Sequence, residues 1–217
     1  MSFLAFGINH KTASVNIREQ VAFDLQHLSD ALLSVQSVDG VLESVIVSTC
    51  NRTAIYCAGT SELSSDKLLL WLSRYHDVDL DGLRACCFSF QNDDAIKHLM
   101  RVASGLDSLV LGEPQILGQL KSAYTSALEV GTVNNHLSRL FEHCFSVAKR
   151  VRTETAIGEN PVSVAAAAVN MARQLFSDFS DNVALLIGAG KTTELVARHL
   201  RQGGIKKIII VNRTLSR

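Results

Sequence analysis

The apolar residues of this chain change their period twice, and those changes constrain its architecture more than any other feature. The first stretch mixes strand and helix signals. An apolar run from Phe3 to Ile8 predicts a strand, and Arg18 to Gln36 carries helical spacing, with Val21, Leu25, Leu28 and Leu32 on one face. Val41 to Val47 predicts a strand, a Ser-Thr-Cys-Asn turn follows, and Thr53 to Ala58 predicts the next strand. Leu63 to Tyr75 is helical by spacing, and Ala85 to Phe90 is expected to be a fourth strand. The order β-α-β-β-α-β is that of a ferredoxin-like, split βαβ sheet.

From Asp93 the pattern is helix alone, over Asp93 to Gly105, Pro114 to Gly131 and Leu137 to about Glu154. In the last of these, Leu137, Leu140, Phe141, Cys144, Phe145, Ala148 and Val151 form one stripe, which assigns Cys144 to packing rather than chemistry. Asn160-Pro161 offers an N-cap and a first-turn proline for a helix running to about Phe176. Its four successive alanines, Ala165 to Ala168, allow close approach of another element, and the segment reads as a long connector helix. The second change brings a strand at Val183 to Ile187, the loop Gly188-Ala189-Gly190, a helix at Thr192 to Arg201 and a strand at Lys207 to Val211. This is a βαβ unit of nucleotide-binding type, and because a doubly wound sheet needs more strands, the chain is expected to stop inside that domain.

At roughly 100–200 residues per domain, 217 residues suggest one large domain or two small ones. An apolar fraction of 47% with 19% charged residues excludes a disordered chain. The 21 basic and 21 acidic residues cancel, but unevenly: residues 1–110 hold 8 basic and 13 acidic groups, and residues 111–217 hold 13 and 8. A basic surface is therefore expected on the second half, where Lys149, Arg150 and Arg152 are either a solvated helix face or contacts for phosphates. The start lacks the basic region of a signal peptide and no run approaches the ~18 apolar residues of a membrane span, so a cytoplasmic protein is expected. Five cysteines without a C-x-x-C spacing fit neither a disulfide framework nor a metal knuckle, and no metal is expected.

Three motifs carry candidate chemistry. Gly188-Ala189-Gly190-Lys191-Thr192-Thr193 follows a strand and opens a helix, so its backbone can approach a pyrophosphate at the helix N-terminus; the plainer reading is an ordinary αβ turn. The next strand ends in Asn212-Arg213-Thr214, where an arginine suits the 2′-phosphate of NADP. Ser48-Thr49-Cys50-Asn51-Arg52 is a turn between strands, and an arginine two residues from a cysteine supports a thiolate or clamps a carboxylate. The segment from Gly105 to Ile116 sets two glycines and Pro114 among polar residues, with Gln115 and Gln119 on one helical face; it is either a capped corner or a wall for a polar substrate. His98, mid-helix, is read alone as a packed or surface histidine.

GINHKTASVNIRE (7–19), STCNRTAIY (48–56), HLMRVASGLDSLVLGEPQILGQLK (98–121), RVRTETAIGENPVSVAAAAV (150–169), and GAGKTTELVARHL with VNRT (188–214) together resemble the glutamyl-tRNA reductase family, almost end to end and in order. The resemblance implies an α+β fold: a ferredoxin-like catalytic domain with a helical extension over 1–155, a connector helix over 160–180, and the start of an α/β Rossmann-type NADP-binding domain over 181–217. It implies NADPH-dependent reduction of glutamyl-tRNA to glutamate-1-semialdehyde, the first step of the tRNA-dependent route to tetrapyrroles. It makes Cys50 the nucleophile that forms a thioester and His98 an activity-critical neighbour of the thiol. Thr49, Asn51, Arg52, Ser108, Glu113, Pro114, Gln115 and Gln119 become substrate contacts, with Arg52 on the α-carboxylate. Gly188, Ala189, Gly190, Lys191, Thr192 and Thr193 would hold NADPH. Glutamate-1-semialdehyde aminotransferase is an implied partner, no membrane is involved, and the full-length family forms homodimers. The sequence departs from the family pattern at Ala54, usually Glu; at Ser14, often Pro; and at Lys191, commonly Glu. Two rivals stand beside this reading: a non-catalytic tRNA-binding module, which would display aromatics on an open sheet, and a shikimate-dehydrogenase-like NADP enzyme.

Overall fold

The computed structural model describes residues 1–24, 26–158, 164–176 and 178–214, with Val164 and Lys191 described by backbone alone, and the chain divides into two compact units, Met1–Glu159 and Asn160–Arg217. In the first, β1 (Ser2–Asn9), β2 (Val41–Thr49), β3 (Arg52–Gly59) and β4 (Phe88–Gln91) form one antiparallel sheet in the order β2-β3-β1-β4. That is the expected split βαβ order. The helices are α1 (Val15–Gln20), α2 (Leu28–Gln36), α3 (Ser65–His76), α4 (Leu80–Cys86), α5 (Asn92–Ala103), α6 (Gln115–Val130) and α7 (Asn135–Glu154), followed by a 3-10 turn at Ala156–Gly158.

All eight residues of β3 are buried, so helices cover both faces of the sheet. Strand alternation sorts the two faces by size. Leu4, Phe6 and Ile8 share one face of β1, while Ala5 and Gly7 lie on the other, opposite Tyr56 and Ala54 of β3. A Cβ on Gly7 would sit 2.1 Å from the carbonyl oxygen of Thr53. The small-residue face is the one that carries Arg52, and its narrowness leaves space for polar groups from α5 and the loop after it. The rival reading of an open sheet displaying aromatics to RNA therefore loses its surface.

Two expectations are corrected. The helix expected over Arg18 to Gln36 is two helices, because backbone groups between them are taken by side chains from the sheet. Thr53 Oγ1 donates to the carbonyl of Val21 at 3.1 Å, and the N–H of Phe23 donates to Ser48 Oγ at 2.9 Å. Val21 and Leu32 are buried as expected, and Leu25 lies outside the described residues. The strand expected at Ala85 to Phe90 begins only at Phe88. Asp79 caps α4 by accepting from the N–H of Gly82 at 2.6 Å, and this helix takes Ala85 and Cys86.

The N-terminus of α7 is capped from a distance. A bulge between Val41 and Glu43 turns the Glu43 carboxylate inward, where it accepts from the backbone N–H groups of Asn134, His136 and Leu137 at 3.1, 3.1 and 2.8 Å. One buried carboxylate thus satisfies three otherwise unpaired donors at the positive end of a 20-residue helix. The stripe read from the sequence is the buried face of that helix, with Leu137, Phe141, Cys144 and Ala148 fully covered.

In the second unit, α8 (Val164–Leu175) packs on α9 (Lys191–Gln202), and β5 (Val183–Ile187) pairs in parallel with β6 (Lys207–Val211). Val169, Phe179, Leu200 and Ile205 make its small core. The cap and first turn expected at Asn160-Pro161 lie outside the described residues. Among the described residues no helix is long and apolar enough to cross a membrane.

Glu43→Ala is expected to lower the stability of the first unit by about 2–4 kcal/mol, because three buried donors lose one acceptor. Urea unfolding followed by far-UV circular dichroism checks this, with Leu42→Ala, an exposed neighbour, expected to change stability by less than about 0.5 kcal/mol.

Candidate functional site

The β2–β3 hairpin closes through Cys50 and Asn51, and Thr49 shapes the turn: its Oγ1 accepts from the N–H groups of Asn51 and Arg52 at 3.2 Å each. The carbonyl of Asn51 accepts from the N–H of His10 at 2.9 Å, tying the turn to the end of β1. Cys50 is exposed at the tip. Cys57, Cys86 and Cys144 are buried and Cys87 half-buried; burial pushes the thiols of Cys57, Cys87 and Cys144 up to about 12 and that of Cys86 upward. Cys50 is thus the most accessible of the five thiols.

Arg52, the next residue but one, is only 1% exposed. Its Nη1 donates to Asp107 Oδ2 at 3.2 Å and its Nη2 to the carbonyl oxygen of Asp107. Lys11 Nζ takes the other carboxylate oxygen at 2.5 Å. Burial works against the Asp107 charge, but the Lys11 hydrogen bond and the Arg52 charge outweigh it and hold the carboxyl below its usual range. His98 lies 3.9 Å from Asp107 Oδ2 through Nε2, and its Nδ1 is 3.3 Å from the Tyr56 hydroxyl. Phe88, Phe90 and Tyr56 ring it, with centroids 4.8, 4.9 and 5.9 Å away. Burial, then the Arg52 charge, lowers its pKa to about 4, so the imidazole is neutral at pH 7. His10 is likewise shifted down, by burial and then by Arg52 and Lys11. Ala54 is fully buried between Arg52 and Tyr56 on the same face of β3.

Asp107 and Ser108 sit on a closed loop between α5 and α6. Gly105 and Gly112 have φ of +76° and +77°, and the N–H of Gly112 donates to the carbonyl of Gly105 at 3.0 Å; a Cβ on Gly112 would meet the carbonyl oxygen of Ile157 at 2.8 Å. Only glycine fits both positions. From α7, Arg152 donates to the carbonyls of Gly112 and Glu113 at 2.9 and 3.3 Å. Of the basic cluster Lys149, Arg150 and Arg152, Arg152 is thus taken by the loop, while Arg150 pairs with Glu154 at 3.2 Å and Lys149 is exposed, which is the solvated-face alternative for those two. Ser108 Oγ is buried without a hydrogen-bond partner. Glu113 is half-buried, while Pro114, Gln115 and Gln119 are exposed and do not line the cleft beside His98.

Sequence reasoning therefore singled out Cys50, Arg52, His98 and Ser108 but missed Asp107, Lys11, His10 and Tyr56. All four lie inside motif stretches already quoted, yet nothing local marks Asp107 as the partner of an arginine 55 residues away. Among the described residues no group of His, Cys, Asp and Glu could hold a metal ion.

In the second unit, Gly190 is the N-cap of α9 without a side-chain hydrogen bond, and Gly188 has φ of +102°. Ala189, Gly190, Thr193, Asn212 and Thr214 line a cleft of about 450 Å³. Glu194 also faces it and pairs with Arg198 at 2.6 Å. Arg213 is exposed, and the side chain of Lys191 lies outside what is described.

These features define an α+β protein that gathers an exposed thiol, a buried Arg–Asp pair and a neutral histidine at one end of a sheet, and adds a parallel βαβ unit with a glycine loop. The family model described as "Glutamyl-tRNAGlu reductase, N-terminal domain" matches residues 6–155, and that of "Shikimate / quinate 5-dehydrogenase" matches 170–217. Proteins named glutamyl-tRNA reductase from Pseudomonas putida and Hahella chejuensis are 58% and 56% identical over all 217 residues, which cover 51% of each of them. The solved structure of glutamyl-tRNA reductase from Methanopyrus kandleri matches with a TM-score of 0.64 and 31% identity, over 99% of this chain and 50% of that one. The chain belongs to the glutamyl-tRNA reductase family, and it spans about half the length of the relatives it matches. A shikimate-dehydrogenase-like reading applies to the second unit alone.

Asp107→Asn is expected to cost about 3–5 kcal/mol, because Arg52 is left buried without its counter-ion; chemical denaturation at pH 7 checks this. For pH, the folded protein holds His98 neutral down to about 4, whereas the unfolded chain binds that proton near 6.5. Stability therefore falls as pH drops from 6.5 to 4, by up to about 1.4 kcal/mol per pH unit from this histidine. Asp107, depressed in the fold, adds a loss only below its unfolded value near 3.8. His98→Gln is expected to flatten the slope between pH 6.5 and 4, leaving the smaller contributions of His10 and His76, which are also shifted down.

Proposed function

We propose that this chain carries the acyl-transfer half of glutamyl-tRNA reduction, with Cys50 as the nucleophile. The exposed thiol two residues from the buried Arg52–Asp107 ion pair supports this reading most directly. The Cys50 sulfur attacks the ester carbonyl of glutamyl-tRNA; the S–C bond forms, the bond to the ribose oxygen breaks, and the thiol proton ends on that oxygen. The product is a glutamyl thioester and free tRNA. Ser108, whose hydroxyl has no partner, and Asn51 hydrogen-bond the glutamyl group, while Thr49 keeps the turn in shape for them. Arg52, locked by Asp107, supplies positive field for the α-carboxylate with Lys11 beside it. His98 is a neutral acceptor or relay for the displaced proton. Glu113, Pro114, Gln115 and Gln119 contact more distant parts of the substrate.

The second unit is the start of a Rossmann-type NADPH-binding domain in this reading, with domain bounds at 1–155, 160–180 and 181–217. Its loop fits the group: Gly190 has nothing within 4 Å of a Cβ position, and the α9 amides are uncapped. Gly188 to Thr193 would hold the pyrophosphate, Asn212 and Thr214 the ribose, and Arg213 the 2′-phosphate. When bound, NADPH supplies the hydride that takes the thioester to the aldehyde oxidation level. In the complete enzyme the product is glutamate-1-semialdehyde, consumed by its aminotransferase in tetrapyrrole synthesis, and the enzyme is a cytoplasmic homodimer. This chain, about half that length, is proposed to acylate Cys50 without completing reduction at the full enzyme's rate.

Mass spectrometry after exposure to glutamyl-tRNA without NADPH is expected to show one glutamyl adduct, labile to hydroxylamine, on the Cys50 peptide and none in Cys50→Ala. An unmodified Cys50 peptide would reject the reading.

A further inference from the structure

The cleft beside His98 is not explained by the glutamyl pocket alone. It encloses about 500 Å³ and is bounded by the end of β1, the edge strand β4 and one face of α5. Phe90 lies on that edge strand, 37% exposed, and stacks at 29° on His98, with Phe88 behind it at 5.4 Å. Asp94, Lys97, His98 and Arg101 follow one another on a single face of α5. Arg101 is exposed, and its guanidinium has neither a hydrogen bond nor an ion pair among the described residues. Lys97 reaches Asp94 only at 3.8 Å, with both side chains 74% exposed. Both oxygens of Asp107 are already taken, by Lys11 and Arg52. His98 Nε2, on a side chain only 8% exposed, has no hydrogen-bond partner although it lines the cleft. A half-exposed aromatic platform, surplus cations and an orphaned ring nitrogen thus face one space, inside a half of the chain that is acidic overall.

An aromatic face flanked by exposed cations recognises an unstacked base and its phosphate, whatever the base. We infer that this cleft holds the unpaired 3′-terminal nucleotides of the RNA substrate, one base stacking on Phe90 and the phosphate meeting Lys97 and Arg101. The inference rests on the proposed reading that the substrate is an aminoacylated RNA. The location suits it: Asn9 and Asp107 line the cleft, Asn9 pairs with Arg52 in the sheet register, and Cys50 is two residues further along the hairpin. A base seated here leaves its acylated ribose toward the thiol end of the sheet. Because both sheet faces are covered, the stacking takes place at the edge rather than on the face.

Binding of a 5′-labelled single-stranded ACCA tetranucleotide to the chain, measured by fluorescence anisotropy, tests this. Phe90→Ala is expected to weaken binding between about 5-fold and 150-fold, and Phe90→Trp to restore it. The indole of Phe90→Trp should be quenched by the oligonucleotide beyond any change in wild-type Trp71, the chain's only tryptophan. Replacing Lys97 and Arg101 together with Gln is expected to reduce the slope of log K against log salt by about 0.7, the value for one phosphate contact on a single strand. Oligonucleotide binding within twofold of wild type in folded Phe90→Ala, an unquenched indole in Phe90→Trp, or no binding by the wild type each overturns the inference. Normal binding with no Cys50 adduct from charged tRNA overturns the acyl-transfer reading and leaves the cleft assignment standing.

Discussion

A guanidinium buried in a protein interior demands a counter-ion, and much of the first unit is arranged around meeting that demand for Arg52. Its partner Asp107 lies on a loop, and a loop holds a carboxylate in place only if its own backbone is held. Gly105 and Gly112 pass close enough to hydrogen-bond across the loop mouth, and Arg152 reaches from α7 to the carbonyls beside them. The position of α7 depends in turn on Glu43, which caps it from β2. A chain of charge-assisted bonds therefore runs from one edge of the sheet, through a long helix, to the loop that faces Arg52. The hairpin carrying Cys50 inherits this rigidity, because Arg52 is the first residue of β3 and its backbone N–H also closes the turn through Thr49.

Net charge per half of the chain is a poor guide to where positive charge gathers locally. The second half carries the basic surplus, yet two of its densest cations, Arg150 and Arg152, are occupied within the first unit. The first half is acidic in sum, but its acids lie mostly at helix starts and exposed turns. At the cleft the local balance is reversed, with Lys11, Lys97 and Arg101 against Asp94 and an already neutralised Asp107. Screening limits exposed charges to a reach of about 8–10 Å, so the local set decides what a ligand meets.

Most elements were legible in the sequence because period and burial coincide: the α7 stripe, β5, β6 and the order of the first four strands all follow from apolar spacing. The failures share one cause. Arg18 to Gln36 keeps helical spacing throughout, but Thr53 and Ser48, remote in sequence, compete for its backbone groups and break it. Ala85 to Phe90 is apolar enough for a strand, but Asp79 commits its first residues to a helix. Both are tertiary or capping interactions acting on segments whose own spacing is compatible with more than one element. The site shows the same limit. Cys50 and Arg52 are neighbours and were read together, whereas the Asp107 that gives Arg52 its geometry depends on the loop closing.

The five cysteines show how the fold allots reactivity without a special sequence signal. Four occupy covered or half-covered positions where burial raises the cost of the thiolate, and these remain packing residues at neutral pH. Cys50 differs in being held at a two-residue turn whose flanking strands are rigid. A nucleophile needs access to substrate and a fixed approach direction at once, and these requirements ordinarily conflict, since exposed loops move. A tight hairpin at the end of a sheet covered on both faces reconciles them: the side chain is in solvent while the backbone on either side is in the core. The neutral His98 and the Arg52 held by Asp107 lie at the same end of the sheet, their positions set by packing and hydrogen bonds rather than by the turn itself.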